Sequence, residues 1–137
     1  MGMSISYTVL LVEDDSSLRN LVTTYLELEN LIVLAAADGD EALEISRSRL
    51  KIDLLLTDVQ LASGTSGIDV AEQILHEKPG TKVLVMSGYP EREIEAAEKC
   101  LPFLQKPFTP ELLTRAVREV LGSENSAASA TAKRAFG

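Results

Sequence analysis

Four short polar stretches stand at the ends of apolar runs and could do chemistry together: Glu13-Asp14-Asp15, Asp58, Ser87-Gly88 and Lys106-Pro107. Carboxylates gathered without compensation repel one another, so such a cluster invites either a proton or a divalent cation. Hard oxygen ligands at an open, watery rim suit Mg²⁺, which takes one or two carboxylates, keeps several waters and bridges to a phosphate. Asp14, Asp15 and Asp58 fit that description. The competing account of the acidic triplet is that it caps a helix and complements its dipole. Alone, the triplet favours the cap; beside Asp58, the Ser87 hydroxyl and the Lys106 amine, it favours the cation.

These residues share a site only if the chain brings strand ends to one edge. Five runs rich in Val, Ile and Leu alternate with segments of helical period, the rhythm of a parallel sheet. The runs are Tyr7 to Val12, Leu31 to Ala35, Ile52 to Thr57, Lys82 to Met86 and Phe103 to Gln105. Helical patterns follow each: Leu18 to Leu28 with Asp15 or Ser16 as cap, a stripe of Ala42, Leu43, Ile45 and Leu50, then Gly67 to Leu75. A weak, strongly charged helix over Glu91 to Lys99 and a last one over Pro110 to Leu121 complete the series. With the right-handed crossovers usual for parallel units, this predicts a doubly wound five-stranded parallel α/β sheet with helices on both faces, in the order common for five strands, 2-1-3-4-5. Ligands of such sheets bind outside the carboxyl ends of the strands, where the order reverses between strands one and three. Those ends carry the acids, Asp58, Ser87 and Lys106.

Composition narrows the function. At 137 residues and 45% apolar content the chain suits one core. A net charge of −8 repels nucleic acid and anionic membrane surfaces, which points to a protein or small-ligand partner. The single cysteine, Cys100, can close no internal disulfide and suits a reducing, cytoplasmic setting. No apolar run approaches the ~18 residues of a membrane span. Residues 1–6 read as an extension, 7–121 as the domain, and 122–137 as a flexible Ser/Ala-rich tail.

Taken together, Glu13-Asp14-Asp15, Leu54-Leu55-Leu56-Thr57-Asp58, Ser87-Gly88 and Lys106-Pro107-Phe108 resemble the response regulator receiver family of two-component signalling, over about Thr8 to Leu121. The resemblance implies that Asp58 is phosphorylated by a histidine kinase and that Asp14 and Asp15 bind Mg²⁺, with the backbone carbonyl of Gln60 completing the metal site. Lys106, preceding a cis proline, would offset charge on the phosphoryl group, and Ser87 would be drawn to it. Movement of Ser87 would make room for Phe103 to turn inward as a switch, although plain core packing explains a phenylalanine there equally well. Implied partners are a sensor histidine kinase or histidine phosphotransfer protein and a downstream protein target, with the chain a monomer or a phosphorylation-dependent dimer.

The loop Val59 to Gly67 lacks the Met-Pro pair frequent in receivers, and with Ser87-Gly88-Tyr89 it resembles receivers attached to hybrid sensor kinases. A phosphorelay intermediate, or the receiver segment of such a kinase, is therefore the alternative role. A Mg²⁺-dependent phosphatase of the haloacid dehalogenase type also uses an Asp after an apolar strand, but it wants a second Asp where Gln60 stands. A flavodoxin-like cofactor binder would need a phosphate loop after strand one, where this chain places acids. The receiver reading makes the chain a phosphoacceptor with at most self-phosphorylating and self-dephosphorylating activity, not a dedicated enzyme.

Overall fold

A computed structural model describes residues 6–49 and 51–122. The elements alternate as β1 (Thr8–Val12), α1 (Ser16–Leu28), β2 (Ile32–Ala36), α2 (Gly39–Ser48), β3 (Leu54–Asp58), a 3₁₀ turn (Ala62–Gly64), α3 (Gly67–Glu77), β4 (Lys82–Ser87), α4 (Pro90–Glu98), β5 (Phe103–Gln105) and α5 (Pro110–Gly122). All strand pairs are parallel and the sheet order is β2-β1-β3-β4-β5, the expected order. Leu50, expected on the stripe of the second helix, and most of the expected terminal segments lie outside the described residues.

The sheet divides the core in two because alternate strand residues face opposite sides. Leu10, Val12, Leu55, Val83 and Val85 pack toward α2, α3 and α4; Val9, Leu11, Leu54, Leu56, Leu84 and Met86 pack toward α1 and α5. Strands covered on both faces read as continuous apolar runs, which explains the composition of β1, β3 and β4. β3 starts two residues later than its apolar run. Asp53 instead uses its carboxylate to accept the Thr8 N–H at 2.8 Å, tying the feet of β1 and β3 together. The charged fourth helix does form, and it buries only Ala96 completely, which is why its apolar period is faint.

Helix starts are specified locally. Asp38 accepts the Glu41 N–H at 2.8 Å while Glu41 reaches back to the Ala37 N–H at 2.7 Å, a reciprocal cap for α2. Ser66 caps α3 through the Ile68 N–H, and Pro90 opens α4 at its first position, where no N–H is needed. Among the described residues no helix is long and apolar enough to cross a membrane.

Candidate functional site

The register places the chemistry. Val12 pairs with Thr57 and Asp58 with Met86, so the residues that follow β1, end β3 and end β4 emerge on the same edge. Lys106 follows β5, its N–H donates to the Ser87 carbonyl at 2.7 Å, and the Lys106–Pro107 bond is cis as expected. The Lys106 ammonium crosses the edge to reach Asp58 Oδ2 at 2.8 Å and Glu13 Oε1 at 3.1 Å. A cavity of about 370 Å³ opens there, lined by Asp58, Gln60, Gly88, Tyr89 and Lys106.

Carboxylate oxygens of Glu13, Asp14 and Asp58 lie within 4.8 Å of one another, a donor set of hard oxygens suited to a divalent cation. Of the expected set of Asp14, Asp15, Asp58 and the Gln60 carbonyl, Asp14 and Asp58 belong to this cluster, with Glu13 beside them. Asp15 is the N-cap of α1: its Oδ1 accepts the N–H groups of Ser17 at 2.9 Å and Leu18 at 3.1 Å. Glu13, the first residue past the strand, faces the edge. The sequence carries the signal, since an acid immediately before Ser16-Ser17 at a helix start is spent on capping. Asp15→Ala is accordingly expected to lower unfolding free energy by about 1 kcal/mol in urea titrations and to leave Mg²⁺ affinity unchanged by calorimetry. A loss of affinity of roughly tenfold would restore Asp15 to the metal.

Electrostatics fit a loaded but compensated site. Burial pushes the Glu13 carboxyl above its ordinary range, against the lowering effect of the Asp15 N–H and the Lys106 ammonium, and the nearby Asp58 adds to the rise. Burial alone would depress Lys106, but the Asp58 and Glu13 carboxylates outweigh it and hold the amine above its usual value. The ammonium therefore stays charged and shared between two acids.

Gln60 lies beside the cavity, its N–H donating to Asp58 Oδ1 at 3.3 Å. Ser87 is buried at the end of β4, with its hydroxyl folded back: Oγ donates to the Tyr89 carbonyl at 3.0 Å and accepts the Tyr89 N–H at 3.2 Å. Phe103 is 7% exposed and packs with the core cluster that includes Ala96 of α4. Sequence reasoning missed the Glu13–Lys106 pair, the Arg19 guanidinium that donates to the Glu13 carbonyl at 2.7 Å, and the tight seat of Gly67 against the Asp58 carbonyl.

Comparison with known proteins converges on one family. The model of the response regulator receiver domain matches residues 9–118. A cyclic di-GMP phosphodiesterase of Thermotoga maritima is 36% identical over 119 residues, 83% of this chain and 31% of that protein. The autoinducer 1 sensor kinase/phosphatase LuxN of Vibrio campbellii is 35% identical over 130 residues, 91% of this chain and 15% of that protein. The chain thus spans less than a third of the length of either relative. Among solved structures, the response regulator protein TrrA of Thermotoga maritima in complex with Mg(2+)-BeF superposes with a TM-score of 0.75 at 25% identity, covering 83% of this chain and 98% of that one.

Proposed function

Because this chain belongs to the response regulator receiver domain family of two-component signalling, we propose that it accepts a phosphoryl group on Asp58 from a histidine kinase or histidine phosphotransfer protein and thereby switches its contacts with a protein target. The observation that carries this reading is the Lys106 ammonium, 2.8 Å from Asp58 Oδ2 at a cavity flanked by clustered carboxylates. An oxygen of Asp58 attacks phosphorus, the bond from phosphorus to the donor's imidazole nitrogen breaks, and its electron pair leaves with the imidazole. The product is an acyl phosphate. Lys106 offsets the charge that builds on the phosphoryl oxygens during transfer.

Mg²⁺, when bound, would supply further charge compensation at the phosphoryl oxygens, and the clustered carboxylates of Glu13, Asp14 and Asp58, with the Gln60 carbonyl, are the groups that would hold it. That the similar TrrA was solved in complex with Mg(2+)-BeF supports a Mg²⁺-dependent site here. The product group carries roughly −1.5 to −2 charges and three acceptor oxygens. To bond it, the Ser87 hydroxyl must release the Tyr89 backbone, and this released hydroxyl is the first step of the switch toward Phe103 and the α4 face. The match to LuxN supports the second reading, a relay step within a longer sensor kinase.

Incubation with acetyl phosphate and Mg²⁺, followed by intact mass, tests the assignment. One phosphoryl adduct, cleaved by hydroxylamine, is expected in the parent and none in Asp58→Asn, with chelation of Mg²⁺ abolishing it. Adduct formation that survives the substitution would refute it. Pull-downs with and without beryllofluoride separate the two roles: relay transfers the group to a partner histidine, whereas a binding switch only tightens association.

A further inference from the structure

An apolar groove runs beside α1, on the flank of the site. Leu18, Leu21 and Tyr25 form one wall and Pro107, Phe108 and Pro110 the other, around about 430 Å³. Spacing of three and four residues puts the α1 side chains on one stripe of the helix, yet Leu21 is left 47% exposed. Contiguous apolar surface that meets water in this way marks an interaction site. The upper end of the groove carries acids. Asp15 accepts the Leu18 N–H at 3.1 Å and Glu111 follows Pro110. Both are exposed, and no ion pair among the described residues engages either.

The chain itself holds a segment of matching chemistry. Residues 123–137, outside the described residues, contain one large apolar side chain, Phe136, with the cations Lys133 and Arg134 just ahead of it. α5 ends at the far edge of the sheet, where Lys82 at the start of β4 donates to the Leu121 carbonyl at 3.1 Å. From there back to Pro110 is the length of α5, 13 residues or ~20 Å. The stretch from Gly122 to Phe136 can span more than twice that distance at ~3.3 Å per residue. We propose that Phe136 seats in the groove of its own chain, with Lys133 and Arg134 over Asp15 and Glu111. Tethering gives the segment a local concentration in the millimolar range, whereas a second copy, carrying the same charge of −8, is repelled at long range. Lys106 lines this groove as well as the cavity beside Asp58, so the docked segment borders the site and covers its α1 flank. Docking stands whether or not Asp58 takes a phosphoryl group.

Limited trypsin digestion of the full chain, followed by intact mass, tests the docking, because a protease must grip the residues on both sides of the bond it cuts. A seated Phe136 shields the bonds after Lys133 and Arg134. Each rate is divided by that of the free peptide 128–137 of the same sequence. Phe136→Ala and Leu21→Glu are each expected to speed cleavage by about tenfold, the lower end of what burying a phenyl ring is worth. Together they should do no more than either alone. Glu111→Lys should speed it about twofold, the share of an exposed ion pair. Leu112→Glu, at a residue 37% exposed on α5 outside the groove, should leave the rate unchanged. Nuclear Overhauser contacts between the Phe136 ring and the Leu21 methyls are expected in the parent, and they decide should Leu21→Glu fail to fold. A parent cut as fast as its free peptide, or Phe136→Ala cut no faster than the parent, overturns the proposal. Acceleration in Phe136→Ala without acceleration in a folded Leu21→Glu places the ring elsewhere and overturns it too. Protection that vanishes on dilution gives the groove to the segment of a second copy, which excludes docking within one chain.

Discussion

Lys106→Ala is expected to slow phosphoryl uptake on Asp58 by on the order of a hundredfold at saturating Mg²⁺ and to tighten Mg²⁺ binding at the same time. Both effects come from one charge. The ammonium stands 2.8 Å from Asp58 and 3.1 Å from Glu13, with its side chain 23% exposed, so it acts in a partly desolvated setting where a fixed charge is worth more than in water. During transfer negative charge accumulates on the phosphoryl oxygens, and removing a preorganised donor aimed at such charge costs about two to three orders of magnitude. In the resting protein the same ammonium competes with a divalent cation for the carboxylates, so its loss favours the metal. Opposite changes in rate and metal affinity distinguish this from unfolding, which would weaken both. Time courses by intact mass with acetyl phosphate, paired with calorimetric Mg²⁺ titrations, measure them; a rate within threefold of the parent would remove Lys106 from the chemistry.

The parts of this site that the sequence made legible are those fixed by period and strand end. An apolar run terminating in Asp58, and others terminating in acids, Ser87 and Lys106, converge once the strands are taken as parallel in the common doubly wound order, and the sheet observed has that order. What was not legible depends on side-chain direction. Three consecutive acids look alike in a string, but Asp15 stands at the cap and Glu13 at the strand end, and only the turn between them decides which faces Asp58. The same holds for Ser87, whose hydroxyl the local backbone of Tyr89 satisfies. Strand position predicts that Ser87 reaches the edge but not that its hydroxyl is folded back there. Glu13 bonding Lys106 across 93 residues has no local sequence signature at all.

Gly67 offers the second large effect, because it places Asp58 from behind. A Cβ built on Gly67 would overlap the Asp58 carbonyl oxygen and meet the Thr57 hydroxyl at 2.8 Å, and the first of these is backbone at the end of β3, held by its pairing with Met86. The loop has no slack to yield. The Gly67 N–H donates to the Val59 carbonyl at 2.6 Å, the Leu61 N–H to the Thr65 carbonyl at 3.0 Å, and Gln60 pairs with Ser66 in an antiparallel bridge. Relief would require the start of α3 to lift from β3, breaking the Gly67–Val59 bond and opening the contacts that keep Ile68 and Ala71 fully buried. Gly67→Ala is therefore expected to lower unfolding free energy by about 3 kcal/mol, the upper range for overpacking a rigid site. Gly80→Ala serves as the control, since nothing lies within 4 Å of its added Cβ, and it should change stability by less than about 0.5 kcal/mol. Urea titrations of both variants check the contrast. If Gly67→Ala folds at low temperature, its shifted Asp58 carbonyl should also slow phosphoryl uptake, because reacting groups misplaced by ~1 Å cost about a hundredfold. Parent-like stability in Gly67→Ala would mean that α3 can slide, and that the contact does not position Asp58.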